Sequence, residues 1–236
     1  MRIDLYLKTL LHLSKQEIKS LLKSQVIKVN GQTITQPNYC FNLNNDQVTY
    51  QNKKLPKNPF TYIMLNKPKG YISANHDQNH ATIMNLIATK YHHLNIVGRL
   101  DKDTTGLIIL TDDLYAFKHL TMPKYHQEKE YLVKVEKKLS LDDVIKFNKG
   151  IVIDHDILLK PAKLEIVEPF LAKVIIKEGK YHQIKKMFLS IQNKVIELKR
   201  IRINQLYLDQ NLTEGEYKLL NEEEIECLLN QLDLER

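Results

Sequence analysis

The segment Gly98-Arg99-Leu100-Asp101-Lys102-Asp103-Thr104-Thr105-Gly106-Leu107-Ile108-Ile109-Leu110-Thr111-Asp112-Asp113 places a dense polar cluster between two apolar runs, LNIV (94–97) and LIIL (107–110). Short apolar runs bounded by turn residues read as buried strands. A polar loop between such strands is a common seat for reactive side chains, although aspartates there also cap turns. The two glycines that bracket the loop carry weight. The chain has seven glycines in 236 residues, about half the usual share, so a retained glycine marks a backbone constraint.

Outward from this segment, β-type runs at 61–67, 106–111, 130–135, 163–168, 172–178 and 194–203 accompany amphipathic helices expected near 81–89, 113–120, 140–148, 181–191 and 221–231. Ser140 and Asn221 stand as caps before two of these helices. Strands and helices do not alternate one for one. An α+β fold is therefore expected, with a mixed, largely antiparallel sheet and packed helices. A second polar cluster, EGKYHQIKKMF (178–188), enters a helix that buries Ile184, Met187 and Phe188 and turns Lys185 elsewhere.

The first 58 residues read as a separate module. Ser14 and Glu17 form a capping box, and Lys15, Lys19 and Lys23 recur every four residues along one helical stripe. The run VIKVNGQTIT (26–35) centres on Asn30-Gly31, a strong hairpin signal. With a short helix over 4–12, these elements make an α-α-β-β unit. The lysine- and proline-rich NKKLPKNPF (52–60) reads as a linker. Two domains are expected, 1–58 and 59–236.

Charge supports the division. The whole-chain value of +7 is weak evidence of a polyanionic partner. Residues 1–58 carry nine Lys+Arg and three acids, a net +6. Residues 59–208 carry a net +8, and from Asp209 onward nine acids face only Lys218 and Arg236. No run reaches the roughly 20 apolar residues of a membrane-spanning helix. The opening MRIDLYLKTLLHLSKQ lacks a long apolar segment and a small-residue cleavage site, so no secretory signal is expected. Two cysteines, Cys40 and Cys227, do not make a disulfide framework, and a cytoplasmic location is expected. His76 and His80 have helix-type ligand spacing but no good third ligand, so no metal is expected.

Taken together, GRLDKDTTGLIILTDD, Lys129-Glu130-Tyr131 and EGKYHQIKKMF resemble, in order and spacing over residues 60–225, the pseudouridine synthases of the ribosomal small-subunit family. The N-terminal module resembles the S4 RNA-binding domain found there. The resemblance implies Asp101 as the catalytic aspartate, Tyr131 as the family tyrosine at the uracil and Lys185 as the cation beside Asp101. It implies that Arg99 fills the space of a flipped base or holds a flanking phosphate, and that the turn Lys67-Pro68-Lys69-Gly70 lies near the active site with both lysines suited to phosphate. His182 and Gln183 are expected to position RNA or line the pocket, and the Lys15, Lys19 and Lys23 stripe to contact phosphates.

The reaction is an isomerisation of uridine in small-subunit ribosomal RNA, by implication uridine 516 of 16S rRNA, and needs no cofactor. That agrees with the absence of Walker and dinucleotide glycine motifs. The expected partner is small-subunit rRNA or the assembling subunit, and a monomer is expected. A large-subunit rRNA synthase and a non-catalytic ribosome-assembly factor are the competing readings. Three departures from the pattern remove no catalytic group: Leu114 and Asn204 where glycine is common, and Lys rather than Arg at the basic positions of KKMF.

Overall fold

The computed structural model describes residues 1–43 and 45–229, and the chain divides into two units between Phe60 and Thr61. The first unit pairs helices α1 (Ile3–Leu11) and α2 (Lys15–Lys23) with four short strands, β1 (Ile27–Val29), β2 (Gln32–Thr33), β3 (Val48–Tyr50) and β4 (Lys53–Lys54), in the order β2-β1-β3-β4. Ser14 and Glu17 exchange the two hydrogen bonds of the capping box at the start of α2. Ile18 and Leu22 turn into the core, where Tyr6 meets Phe41 edge-on at 5.1 Å. Lys15, Lys19 and Lys23 remain exposed. The Asn30-Gly31 turn has φ of 50° and 84°, the mirror-image geometry that suits a two-residue hairpin.

The segment 52–60 is not a free linker throughout. Lys53–Lys54 forms β4 against β3, and Pro56 accepts a hydrogen bond from the Tyr6 hydroxyl at 2.5 Å. The turn into β4 uses Gln51 and Asn52 at φ 48° and 61°. It adopts a left-handed conformation with no glycine to signal it.

The second unit is built on a nine-stranded sheet. In chain order its elements are β5 (Tyr62–Lys67), β6 (Asn95–Val97), β7 (Thr105–Thr111), α3 (Leu114–Thr121), β8 (Lys129–Val135), α4 (Leu141–Lys149), the small hairpin β9 (Val152–Ile153) and β10 (Ile157–Leu158), β11 (Lys163–Glu168), β12 (Leu171–Ile176), α5 (Gln183–Ser190), β13 (Val195–Ile203), β14 (Leu206–Tyr207), β15 (Tyr217–Leu219) and α6 (Glu222–Leu229). The main path runs β11-β12-β8-β13-β7-β5-β15; β13 and β7 pair in parallel and its other pairs are antiparallel. Every residue of β5 and β7 is buried, which explains their continuous apolar runs. β12 alternates because only one of its faces is fully covered. Phe147 of α4 and Phe188 of α5 meet at 5.0 Å within the large core formed on one face.

Two of the expected helices differ at their boundaries. The region 81–89 holds no α-helix but a 3-10 turn, Ile83–Leu86, and the start of another, Thr89–Tyr91; Ala81 and Ile83 are tied to Ile72 by backbone hydrogen bonds. Helix α5 starts at Gln183 because His182 is left-handed, with φ of 53°. Asn221 and Glu224 exchange capping hydrogen bonds at the start of α6. Residues 230 and 231 of the expected last helix lie outside the described residues.

The aspartates of Thr111-Asp112-Asp113 serve the fold. Asp112 accepts from Thr61 N, while Asp113 accepts from the Tyr62 hydroxyl and caps α3. Leu114, at the glycine-like position, is the exposed first residue of α3. Asn204 is left-handed at φ 51°, as its place in a glycine-preferring turn demands.

One glycine fixes how β7 and β13 meet. Gly106 has φ of 100°, and a Cβ placed there would lie 2.2 Å from the Arg200 carbonyl oxygen. The Gly106→Ala variant is predicted to lose roughly 2–5 kcal/mol, combining an unfavourable backbone conformation with steric overlap. Urea unfolding is the measurement. Gly179→Ala, where nothing lies within 4 Å, serves as the near-neutral control.

Candidate active site

Gly98 and Gly106 both take positive φ, and between them the chain forms a loop fixed at many points. Leu100 is buried in the large core, and its N–H and C=O both bond the Ser73 hydroxyl at 3.0 Å. Gly70 N donates to Lys102 O at 2.8 Å, and Thr104 N donates to Asp101 O at 3.1 Å. The Lys67 ammonium donates to Thr104 O at 2.7 Å, Pro68 O at 3.1 Å and Lys102 O at 3.4 Å. Fixed in this way, the loop leaves Asp101 half-buried and Arg99 exposed.

Helix α5 brings the opposing charge. Its apolar stripe of Ile184, Met187 and Phe188 packs into the core, which leaves Lys185 on the flank. The Lys185 ammonium lies 2.9 Å from Asp101 Oδ2 and 2.6 Å from Asp103 Oδ1. Burial alone would lower the affinity of this lysine for its proton. The hydrogen bonds to Asp103 and Asp101 outweigh that effect and hold its pKa above the ordinary lysine value. Asp103 is held below the ordinary carboxylate value: burial acts upward, and the Lys185 hydrogen bond and charge act more strongly downward. His182 Nε2 stands 3.6 Å from Asp101 Oδ1. One lysine therefore bridges two carboxylates, with an imidazole at the edge of the group.

The sheet register brings Tyr131 to the same level. Tyr131 on β8 is opposite Arg200 on β13, and Arg200 is beside Gly106 on β7. Tyr131 is buried in the large core, and its hydroxyl makes no hydrogen bond among the described residues. Arg200, not anticipated from sequence, is enclosed beneath the loop: Nε donates to Leu107 O at 2.7 Å, and Nη1 lies 4.0 Å from the Cβ position of Gly98. It thus lies against both ends of the loop. The parity signal was present, since Arg200 follows buried Leu198 two residues along β13.

Two expectations are corrected. Lys67 does not face a phosphate; its side chain is fully buried and its ammonium is occupied by carbonyls. It continues the inward parity of Ile63 and Leu65 along β5. Gln183 is also turned inward, accepting from Lys180 N at 2.9 Å and donating to Glu178 Oε1 at 3.2 Å. It braces the turn before α5 because it lies one helical turn from buried Met187. Lys69 is exposed beside the Gly70 contact.

Comparison with known proteins places these motifs in context. Residues 61–190 match the family model described as RNA pseudouridylate synthase. The chain is 38% identical over 229 residues to the ribosomal small subunit pseudouridine synthase A of Salmonella typhimurium, covering 95% of this chain and 98% of the relative. It is 36% identical over 230 residues to the protein of that name from Escherichia coli strain K12, with the same coverage. A crystal structure of a pseudouridylate synthase superposes with a TM-score of 0.69 at 33% identity, covering 97% of this chain and 99% of the other.

The buried Lys67 generates two predictions. Lys67→Met removes the donor to Thr104 O, and a displaced loop is predicted to lower kcat roughly 10–100-fold, read in a turnover assay. Burial pushes the Lys67 pKa down from 10.5 to about 8, against the attraction of Asp103 and Asp101. Between those values the unfolded chain binds more protons than the folded one, so this group makes stability rise with pH. The stability difference between wild type and Lys67→Met should be level below pH 8 and move in favour of wild type from pH 8 to 10.5. A difference independent of pH would contradict the buried ammonium.

Proposed function

From the premise that the chain belongs to the RNA pseudouridylate synthase family, and is an isomerase acting on RNA uridine, we propose that its substrate is a uridine of small-subunit ribosomal RNA. The target we propose is uridine 516 of 16S rRNA. The names of the relatives from Salmonella typhimurium and Escherichia coli support the choice of subunit.

The observation that carries the mechanism is the Asp101 carboxylate, 2.9 Å from Lys185 on a loop tied down by Lys67, Gly70 and Ser73. Isomerisation breaks the C1′–N1 bond, turns the uracil and joins C1′ to C5; the C5 proton is then lost and N1 gains one. An ionised Asp101 either attacks C1′ or removes the C2′ proton to give a glycal. Both routes require a carboxylate that stays charged when RNA excludes water, and Lys185 supplies the compensating cation. Asp103 takes the other side of the ammonium and fixes its position. Tyr131, with its hydroxyl free, stacks on the uracil and assists loss of the C5 proton.

A uridine in folded RNA reaches this carboxylate only if it leaves its stack. Arg99, exposed one residue before buried Leu100, is placed to fill the vacated space or hold the adjacent phosphate. Exposed Lys69 adds a phosphate contact. In the first unit, the capped α2 and the hairpin support an S4-like RNA-binding module. Its exposed Lys15, Lys19 and Lys23 neutralise phosphates and add affinity without base selection. The protein works in the cytoplasm as a monomer without a cofactor.

Asp101→Asn is predicted to abolish pseudouridine formation on a small-subunit rRNA fragment while RNA affinity stays within about twofold, the two carboxyl derivatives being nearly isosteric. Retained turnover would refute the role of Asp101. Replacing Lys15, Lys19 and Lys23 together by Gln should reduce the slope of log affinity against log salt by roughly 2–3, a little under one for each phosphate no longer neutralised. An unchanged slope would remove α2 from the RNA interface.

A further inference from the structure

Tyr181 precedes the helix that carries Lys185, and its ring is 74% exposed. The ring is nonetheless ordered against two neighbours. It stacks on the His182 imidazole with centroids 3.8 Å apart and planes 20° from parallel. The Lys186 ammonium lies 5.3 Å from the ring centre and is held by Asp154 at 2.5 Å. The left-handed backbone of His182, φ 53°, accompanies this stacking of two consecutive side chains. Such a conformation is uncommon outside glycine, although histidine is among the residues that adopt it more readily.

The other end of the stack reaches the reactive group, since His182 Nε2 is 3.6 Å from Asp101 Oδ1. A stack of two rings therefore runs outward from the Asp101 carboxylate to an exposed phenol. The Tyr181 hydroxyl makes no hydrogen bond among the described residues, so the side chain does not brace the fold through it. Flipping one nucleotide removes a stacking partner from each neighbour. An exposed aromatic ring next to the entry site is chemically suited to replace it, because every base has a π-face.

We propose that Tyr181, supported by His182, is a stacking subsite for the nucleobase adjacent to the target uridine. The cation of Lys186 beside the ring suits the neighbouring phosphate. This rests on the reading of Asp101 as the reacting carboxylate. The subsite favours any base over an abasic position and sets the placement of the RNA rather than the chemistry.

The test uses the full chain and an rRNA fragment that it modifies, with 2-aminopurine placed immediately 5′ or 3′ of the target uridine. Binding to wild type should quench the fluorophore at one of these positions, and Tyr181→Phe should keep that quench. Tyr181→Ala should lose it and raise KM about 5–100-fold, as expected for the loss of one base–aromatic stack, with kcat changed less than KM. Quenching by Tyr181→Ala equal to wild type, or no quench at either position, would overturn the subsite. A loss in Tyr181→Phe as large as in Tyr181→Ala would also overturn it. Asp101→Asn, run in parallel, should quench normally and form no product. Product from that variant would refute the Asp101 reading, while the quench data separately decide the stack.

Discussion

The ammonium of Lys67, enclosed at the end of β5, donates to carbonyls on the loop that carries Asp101, and the placement of the site follows from that contact. A buried ammonium is costly to desolvate, and the depressed pKa of Lys67 records the cost. The offset comes from carbonyls at Pro68, Lys102 and Thr104, which would otherwise be buried without this donor. The loop and the strand thus stabilise each other. Gly70 and Ser73, just beyond β5, add three more hydrogen bonds to the same loop. Arg200 seals it from the β13 side.

With the loop fixed, the charge arrangement of the site needs only one further element. Helix α5 is fixed by its apolar stripe, and that orientation brings Lys185 between Asp101 and Asp103. Neither carboxylate has the lysine to itself. Asp103 is more exposed than Asp101, so water can replace its share of the interaction. In the proposed mechanism the cation is then devoted to Asp101 as charge shifts there. Electrostatic support that is already in position avoids reorganisation during the chemical step.

Much of this was legible in the residue pattern. The polar segment between apolar runs marked the loop, the capping box at Ser14 formed with Glu17, Ser140 capped its helix, and Asn30-Gly31 made its hairpin. The mixed, largely antiparallel sheet was expected because strands and helices do not alternate. The roles of neighbouring polar residues were harder to read. Lys67 and Lys69 look equivalent in a string of letters, yet Lys67 ends the buried strand β5 and Lys69 lies beyond it in an exposed turn. Gln183 and Lys185 sit on one short helix, and its 3.6-residue period turns only the first inward. The 51–52 turn and the approach of Arg200 to Gly106 depend on backbone angles and on a partner about 94 residues away in sequence. No local pattern announces such pairings.

The central claim is that one carboxylate, Asp101, converts a single small-subunit uridine. It is tested most directly by mapping pseudouridine across ribosomal RNA from cells that lack this protein, complemented with either the wild-type chain or Asp101→Asn. The account predicts one missing pseudouridine in small-subunit RNA, restored by wild type and not by the variant. Restoration by Asp101→Asn, or loss confined to large-subunit RNA, would contradict it.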